Sequence, residues 1–201
     1  MIPGIVLAAG ESSRMGRPKA LLPIGAGRET FLDRITRTLL DGGVEEVVVV
    51  LGSGALAIRA AAGVDSGRVR LVDNPDYEKG QLSSLVAGLR TVDRPGVSAA
   101  LVALIDSPLI SAGTVRALLS TARERGALIV RPASNGRHGH PVVFGRAVFD
   151  ELRRTDPSEG ASAVVRAHRT DVIEVAVDDV GAFIDINSPE DYERWIGPLP
   201  E

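Results

Sequence analysis

Cysteine is absent from this chain of 201 residues, and aromatic residues make up only 3% of it. Without cysteine there is no disulfide, no thiolate metal site and no thiol nucleophile, a composition that suits a reducing compartment. Because 44% of the residues are hydrophobic and so few are aromatic, we expect an aliphatic core of valine, leucine, isoleucine and alanine. The chain is long enough to build a sizeable core as one α/β domain.

Long apolar runs and clustered positive charge are missing as well. Apolar runs such as residues 97–105 are far shorter than the roughly 18 residues of a membrane-spanning segment, and no basic region precedes the first run. The formal net charge is −3, whereas binding to a nucleic-acid backbone needs clustered positive charge. We therefore expect a soluble cytoplasmic protein without nucleic-acid or membrane partners, which binds any anionic ligand through a local site.

The most informative stretch is residues 5–23, IVLAAGESSRMGRPKALLP. Ile5–Leu7 is a short apolar run typical of a buried strand, and small residues then end the pattern. Small residues let the backbone approach a flat ligand, and Gly10 can take a positive φ, so that successive N–H groups converge on one anion. The loop carries Ala8, Ala9, Gly10, Ser12, Ser13, Arg14, Gly16 and Lys19. Its cations, hydroxyls and free amides favour a polyphosphate site over an ordinary solvated loop.

Apolar strand-like runs alternate with helix-like stretches along almost the whole chain. Strands are predicted at residues 5–7, 47–51, 69–72, 99–105, 127–131, 141–144 and 172–177. Helices are predicted at residues 31–42, 55–62, 82–91 and 112–125, followed by two short ones and a last one. Ser188 as N-cap and Pro189 at the first position mark the start of that last helix. The alternation predicts a single three-layer α/β domain over residues 1–201, with a mostly parallel sheet and helices on both faces.

Residues 52–57, GSGALA, offer an alternative binding site. Their GxGxxA pattern, with Asp73 about twenty residues later, resembles a dinucleotide-binding fingerprint. That fingerprint normally follows the first strand of its unit, and here the first strand already ends in the anion loop. We therefore interpret these glycines as a tight turn between a strand and a helix.

Two aspartates directly follow apolar strand-like runs. Asp106 follows residues 99–105, and Asp185 follows residues 182–184. A divalent cation prefers carboxylate oxygens, and strand ends near the anion loop are where its ligands would lie. The alternative is that Asp106 starts a turn before Pro108 and that Asp185 accepts a hydrogen bond from a local amide.

Residues 5–23 resemble, nearly letter for letter, the LAAGxSxRMGxPKxLLP signature of the nucleotidyltransferases with a MobA-like fold. The common GxxxxGK[ST] phosphate motif does not fit the same residues. The resemblance implies a GT-A or Rossmann-like nucleotidyltransferase in which Arg14 and Lys19 bind phosphates. It also implies that Lys19 lies closest to the α-phosphate that is transferred, and that both side chains take part in catalysis.

The resemblance also implies a metal site. In the family an aspartate in a DxP turn binds Mg²⁺, and Asp106 occupies that turn here. A second ligand comes from a D-I-[DN]-x-P-E-D segment, which corresponds to residues 185–191, DINSPED. Asp185 is the expected second ligand and Asn187 is the alternative. Asp106 would be catalytic through the Mg²⁺ ion that it holds.

Residues 74–85, NPDYEKGQLSSL, look like the family's NPxWxxGxxxSL segment, with Tyr77 in place of tryptophan. The resemblance implies that Gly80, Ser83 and Ser84 contact the base or the ribose, although the two serines can equally be helix-initiating residues. The full set implied to bind the nucleotide is Leu7, Ala8, Ala9, Gly10, Ser12, Ser13, Arg14, Gly16, Lys19, Gly80, Ser83 and Ser84.

Residues 135–141, NGRHGHP, resemble the GxxGHPVxF segment of the cytidylyltransferases that act on the molybdenum cofactor. The resemblance implies that Arg137 and His140 lie on the acceptor side and face an anionic pterin phosphate. Zinc bound by His138 and His140 would need a third ligand that the sequence does not offer nearby. His168 lies in an arginine-rich helix, and we expect it to be a solvated surface residue.

The segment Ala8-Ala9-Gly10 is more similar to the cytidylyltransferase members than to the guanylyltransferases, which usually have two glycines there. The expected reaction is Mg²⁺-dependent transfer of CMP from CTP to the phosphate of a molybdopterin-type cofactor, with release of pyrophosphate and delivery of the product to a molybdoenzyme. Two alternatives stay open: another nucleoside triphosphate with a sugar or polyol phosphate, and a non-catalytic nucleotide-binding protein. The presence of both Lys19 and Asp106 speaks against the latter.

Overall fold

The computed structural model of the protein describes residues 1–25, 27–61 and 67–199. Its strands are β1 (Gly4–Ala8), β2 (Val47–Leu51), β3 (Val69–Asp73), β4 (Ala99–Leu104), β5 (Ile129–Ser134), β6 (Arg137–His138), β7 (Val142–Gly145) and β8 (Val172–Ala176). They form one sheet in the order β3-β2-β1-β4-β7-β5-β6, and β8 pairs with β5.

The helices are α1 (Phe31–Asp41), α2 (Ala55–Ala61), α3 (Gln81–Val92), α4 (Ala112–Arg125), α5 (Phe149–Arg154), α6 (Ala161–Ala167) and α7 (Pro189–Trp195). Residue 62, the end of the helix predicted at 55–62, lies outside the described residues. None of the described helices is long and apolar enough to cross a membrane.

Helices cover both faces of the sheet because the side chains of β1 alternate between them. Val6 and Ala8 belong to a buried cluster with α1, α2 and α4, whereas Ile5 and Leu7 belong to a second cluster with α3, α5 and α6. All five residues of β2 are buried, as expected for a strand covered on both sides. The predicted three-layer α/β fold is therefore confirmed.

The sheet is mostly parallel, as expected, but its second half contains reversed strands. β1 pairs in parallel with β2 and β4, and β5 pairs in parallel with β8. β7 is antiparallel to both of its neighbours, β4 and β5. The strand predicted at 127–131 starts two residues later and continues to Ser134, and β6 forms within a segment that was predicted to be a loop. The periodicity of a short apolar run does not reveal its direction, so β7 could not be foreseen as antiparallel.

Capping boxes fix the starts of α1 and α7. The Thr30 hydroxyl accepts a hydrogen bond from the Asp33 N–H at 3.1 Å, and the Asp33 carboxylate accepts one from the Thr30 N–H at 3.0 Å. Ser188 and Asp191 make the same exchange at the start of α7, where Pro189 is the first helical residue. The predicted start of the last helix is thus confirmed.

The turn between β2 and α2 is tight because Gly52 touches two neighbours. A Cβ atom at Gly52 would lie 2.7 Å from the carbonyl oxygen of Ala9 and 2.6 Å from Cβ of Tyr77. The next N–H, of Ser53, donates to that same Ala9 carbonyl at 3.1 Å. The turn therefore braces the loop after β1, as in the strand-to-helix interpretation, and its first amide is not available to a pyrophosphate.

The carboxyl ends of three parallel strands, β2, β1 and β4, lie side by side. In sheets of this type, ligands bind at the carboxyl edge where the connections turn to opposite faces. The helices after β1 and β3, namely α1 and α3, do cover opposite faces. The fold thus brings the loop after β1 and the turn after β4 to one edge.

Candidate active site

A cleft of about 380 Å³ opens where the loop after β1 meets the end of β4. Most of the predicted nucleotide-binding residues line this first cleft: Leu7, Ala8, Ala9, Gly10, Ser12, Ser13, Arg14, Lys19, Gly80 and Ser84. Asp106 lines it too. Gly16, Ser83 and Asp185 are not among the described residues that line it.

The loop between β1 and α1 is held by its own hydrogen bonds. Ser12 adopts a left-handed conformation with φ of 52°, which costs about 1 kcal/mol or more for a residue with a Cβ atom. Its hydroxyl accepts a hydrogen bond from the Lys19 N–H at 3.1 Å, and its carbonyl accepts one from the Met15 N–H at 2.9 Å. Gly16 is also left-handed, whereas Gly10 is not. The expectation of a positive φ at Gly10 was wrong, because the chain turns at Ser12 and Gly16 instead.

Lys19 is buried, with only 9% of its surface exposed. Its ammonium group donates to Oδ1 of Asn187 at 2.8 Å and lies 3.4 Å from Oδ2 of Asp106. The backbone N–H of Asn187 in turn donates to the Asp191 carboxylate at 2.9 Å, so the capping box of α7 orients this partner. Three segments far apart in the chain therefore meet at one ammonium group.

Asp106 follows β4, and the segment that carries a second carboxylate, Asp185, lies beside it. Ser107, which is buried, donates its hydroxyl hydrogen to Oδ1 of Asp185 at 2.7 Å, and the Ile186 N–H donates to the Asp106 carbonyl at 2.7 Å. Burial raises the pKa of Asp106, the Lys19 charge opposes that rise, and the Asp185 charge adds to it. The two aspartates are thus held close together with like charges.

These carboxylates suit a divalent cation. The Oδ1 atom of Asp106 is buried and has no hydrogen-bond partner among residues 1–25, 27–61 and 67–199, and a buried acceptor of this kind calls for a ligand. A cation beside Asp106 and Asp185 would satisfy that atom and remove the repulsion between the charges. The described residues contain no group of three or more acidic or imidazole ligands. Two carboxylates are nevertheless sufficient for Mg²⁺, which usually keeps waters and phosphate oxygens as its other ligands.

The two predicted serines of α3 have different surroundings. Ser84 is buried, lines the first cleft and accepts a hydrogen bond from the Asn74 side-chain amide at 3.0 Å. Ser83 donates its hydroxyl hydrogen to the carbonyls of Asp76 and Gly80, at 2.9 Å and 2.8 Å. Ser83 therefore shapes the turn before α3, which agrees with the helix-initiating alternative for that residue.

A second cleft of about 400 Å³ adjoins the first. Leu7, Gln81 and Leu104 line both clefts. His140 lines the second cleft, and its Nδ1 atom is buried without a hydrogen-bond partner in the described chain. Burial lowers the pKa of His140, and the nearby charges of Asp185 and Asp106 oppose that shift. The imidazole thus lines the second cleft and feels the charges of both aspartates.

Arg137 was expected on the acceptor side and does not line either cleft. Its guanidinium group donates to the Phe183 carbonyl at 2.8 Å and lies over the Phe183 ring, 5.5 Å from the ring centroid. The arginines that do line the second cleft are Arg131 and Arg166. Arg131 interrupts an apolar strand between buried residues, which is a sequence signal that could have revealed it.

The other histidines have acidic partners. Nε2 of His138 lies 2.8 Å from Oε1 of Glu174. Nε2 of His168 lies 2.6 Å from Oε2 of Glu151. The His168 side chain is only 26% exposed, so the expectation of a solvated surface residue was wrong. It packs at the end of α6 and joins that helix to α5.

A family model, the MobA-like NTP transferase domain, matches residues 4–172. The chain belongs to this family. The match begins at β1 and extends to the first residue of β8. It therefore includes the loop after β1, Asp106 and the strands β1, β4, β5 and β7, which contribute residues to the two clefts. The predicted enzyme class, nucleotidyltransferase, is confirmed with it.

Characterised proteins similar to this chain are named for three different activities. A nicotine blue oxidoreductase of Paenarthrobacter nicotinovorans is 33% identical, with 92% of each chain covered. A molybdenum cofactor guanylyltransferase of Sinorhizobium fredii is 30% identical, with 99% of this chain and 94% of the relative covered. The molybdenum cofactor cytidylyltransferase of Escherichia coli is 27% identical, with 94% of this chain and 92% of the relative covered.

Solved structures of the family superpose well on this fold. A crystal structure from Mycobacterium tuberculosis H37Rv has a TM-score of 0.83 and 32% identity, and covers 97% of this chain and 96% of its own. A structure from the same organism in complex with manganese has a TM-score of 0.77 and 29% identity, with 97% of each chain covered. The three-layer fold is therefore that of the family.

Proposed function

We propose that this enzyme transfers CMP from CTP to the phosphate of a molybdopterin-type substrate and releases pyrophosphate. The observation that carries the proposal is the meeting of Lys19 with Asp106 and Asn187 in the first cleft. Nucleotidyl transfer needs such a set, because negative charge develops on the α-phosphate and the leaving pyrophosphate. Relatives named molybdenum cofactor guanylyltransferase and cytidylyltransferase support the choice of acceptor.

In the proposed reaction an oxygen of the acceptor phosphate attacks the α-phosphorus of CTP. The bond between that phosphorus and the oxygen shared with the β-phosphate breaks, and its electron pair leaves with pyrophosphate. Lys19 would bind at the α-phosphate, and the exposed Arg14 at the rim of the cleft would bind phosphates further along. Because Asn187 already holds the ammonium group, the positive charge would be in place before the charge develops.

Asp106 and Asp185 would hold the divalent cation. A bound cation supplies charge neutralisation at the phosphates. Asp185 suits this role better than Asn187, since the oxygen of Asn187 accepts a hydrogen bond from Lys19. Ser107 binds one oxygen of Asp185 and would aim the other. The manganese complex of the Mycobacterium tuberculosis relative supports a divalent cation in this fold, and we propose Mg²⁺ for this chain.

Asn187→Ala should lower kcat by about 10-fold or more, because the Lys19 ammonium group would lose the hydrogen bond that orients it. Stability should change little, since the backbone N–H that donates to Asp191 remains. Asn187→Asp keeps an oxygen acceptor for Lys19 and should retain more activity than Asn187→Ala. Steady-state pyrophosphate release measures both. An alanine variant with wild-type kcat would contradict the orienting role.

Base choice should favour CTP over GTP. Ala9 is buried and lines the first cleft, and its carbonyl accepts a hydrogen bond from the Ser53 N–H. In the proposed complex its methyl group would contact the edge of the base. One methyl group in a tight contact changes preference by roughly 10- to 200-fold. Ala9→Gly should narrow the preference for CTP over GTP without inverting it, because Gly80 and Ser84, which also line the first cleft, would contact the base as well. Equal kcat/KM for CTP and GTP in the unaltered enzyme would contradict the cytidylyl assignment and leave nucleotidyl transfer intact.

The test of the proposed function is a screen for pyrophosphate release. Each of the four nucleoside triphosphates is combined with molybdenum cofactor extracted from a purified molybdoenzyme, and in parallel with sugar phosphates and polyol phosphates. Release with CTP and the molybdenum cofactor is the expected result. Faster pyrophosphate release with a sugar or polyol phosphate would contradict the proposed molybdopterin-type acceptor, but it would still be nucleotidyl transfer.

A second candidate function is oxidoreduction with a nicotinamide cofactor, favoured by the relative named nicotine blue oxidoreductase. Such a cofactor would have to bind through the loop after β1, because the Ser53 N–H in the glycine turn donates to Ala9. A change in NAD(P)H fluorescence on adding the protein, together with dye reduction and no pyrophosphate release, would favour this candidate. The absence of that change in an enzyme that binds CTP would remove it.

A further inference from the structure

The β8–α7 segment, residues 179–187, carries two groups of the proposed active site. Asp185 is the proposed second ligand of the cation, and Asn187 accepts a hydrogen bond from the Lys19 ammonium group at 2.8 Å. Apart from a 3-10 turn at Val180–Phe183, the segment is irregular. An irregular segment has no ladder of backbone hydrogen bonds to place it, so its position depends on individual contacts with its neighbours.

Asp179 attaches the start of the β8–α7 segment to α4. Its Oδ2 atom accepts hydrogen bonds from the Ser111 N–H at 2.9 Å and from the Thr114 hydroxyl at 2.5 Å. Its Oδ1 atom accepts one from the Gly181 N–H at 3.1 Å, within the segment itself. Hydrogen bonds to a charged acceptor are stronger than those between neutral groups. One carboxylate therefore joins the segment to the first turn of α4.

The middle of the segment is packed tightly between two loops. On one side, a Cβ atom at Gly181 would clash with the Leu109 carbonyl, in the turn that follows β4. On the other side, a Cβ atom at Gly139 would clash with the Ala182 carbonyl, which also accepts a hydrogen bond from the His140 N–H at 2.9 Å. Because packed backbones do not yield easily, the segment cannot move toward either loop without displacing it.

Arg137 holds the same segment from β6. Its guanidinium group donates to the Phe183 carbonyl at 2.8 Å and lies 5.5 Å from the centroid of the Phe183 ring. A planar guanidinium group can make both contacts at once, whereas a glutamine amide lacks the charge for the contact with the ring. Arg137 therefore restrains the backbone two residues before Asp185.

We propose that Asp179 and Arg137 are positioning residues for the metal site. Neither is among the described residues that line the first cleft, so each acts through the β8–α7 segment, which they hold so that Asp185 stays beside Asp106. The Ile186 N–H donates to the Asp106 carbonyl at 2.7 Å, so a shift of the segment changes the spacing of the two carboxylates. This inference rests on the proposed function, in which these carboxylates hold a divalent cation.

Binding of Mn²⁺ tests this role without any acceptor, because electron paramagnetic resonance measures the free ion directly. Asp179→Asn and Arg137→Gln should each raise the Kd for Mn²⁺ by about 10-fold, the lower end of the range for a residue that orients a metal ligand. Asp185→Asn should raise it further, since it removes a ligand charge. Asp178→Asn and Arg125→Gln change exposed residues of the same types and are the matched controls, with an unchanged Kd.

A double-variant cycle separates positioning from a general loosening of the fold. If Asp179 and Arg137 act through Asp185, each of their variants should add less than roughly twofold to the Kd of Asp185→Asn. A general loosening would add the same factor in both backgrounds, and that result would contradict the positioning role. Arg137 is exposed, so Arg137→Gln should fold and supply the cycle even if Asp179→Asn unfolds.

Two further outcomes separate the inference from the proposed function. Unchanged Mn²⁺ binding in both Asp179→Asn and Arg137→Gln, together with weaker binding in Asp185→Asn, would overturn the inference and leave the proposed function standing. Unchanged binding in Asp185→Asn would contradict the metal site itself, and the inference would fall with it. Weaker binding in all three variants, with the controls unchanged and the cycle non-additive, is the expected result.

Discussion

Lys19→Ala should lower turnover by at least about 100-fold, because removing one preorganised group that faces developing charge costs about 3 kcal/mol or more. The effect should be large because Lys19 is buried and its ammonium group is held by Asn187 and Asp106. A lysine in an exposed loop is not held in place in this way, so replacing it should cost much less activity.

The fold of Lys19→Ala should survive. The backbone N–H of Lys19, which donates to the Ser12 hydroxyl, is unchanged in the variant. The sequence contains one other lysine, Lys79, whose side chain is 64% exposed and pairs with Asp76. Lys79→Ala is therefore the matched control and should retain nearly full activity. A folded Lys19→Ala enzyme with near-normal pyrophosphate release would contradict the assigned role, and circular dichroism with thermal melting establishes that the fold is kept.

Asp106→Asn should abolish metal-dependent activity, with a loss of at least about 10³-fold at ordinary Mg²⁺ concentrations. The amide has the same shape as the carboxylate and lacks the charge that a hard cation requires. If Asp106 only formed a turn, the amide would serve nearly as well. Asp73→Asn changes an exposed carboxylate at the end of the neighbouring β3 and is the matched control, with activity expected near that of the wild type. A titration of rate against Mg²⁺ separates the outcomes.

Asp106→Asn should not lower the stability of the protein, although it should abolish activity. Because the pKa of Asp106 is raised in the folded protein, the folded state binds its proton more tightly than the unfolded state does. The free energy of unfolding therefore falls as pH rises through that pKa, and at neutral pH the charged carboxylate destabilises the fold. Asp106→Asn should be as stable as the wild type or slightly more stable at pH 7, and should lack this component of the pH dependence. A lower melting temperature at pH 7 would show that the carboxylate stabilises the fold.

Much of the fold could be predicted from the alternation of apolar runs with helix-like segments. The fully buried run at β2 and the capping box before α7 both appeared in the structure where they were expected. The direction of β7 and the two-residue strand β6 could not be predicted, because both depend on which strands come together in space. The run at residues 127–131 became a strand that starts at Ile129, since pairing with β7 and β8 sets its bounds.

The candidate site was predicted best where it is local in the chain. The loop after β1 occupies consecutive residues, so its hydroxyls and cations were visible as one pattern. The partnership of Lys19 with Asn187 joins residues that are 168 positions apart, and only the fold reveals it. A sequence does not show to which side a loop residue turns, and in the structure Arg137 binds the Phe183 carbonyl. Arg131, which lines the adjoining cleft, was not singled out from the sequence.

The most direct test of nucleotidyl transfer follows an isotopic label from CTP into the products. Two samples of CTP, one labelled in the α-phosphate and one in the γ-phosphate, are incubated with the enzyme, Mg²⁺ and extracted molybdenum cofactor. Nucleotidyl transfer predicts that the α label appears in the acceptor and the γ label in pyrophosphate. A γ label in the acceptor, or in orthophosphate, would contradict the account, because it would show that a different phosphorus–oxygen bond is broken.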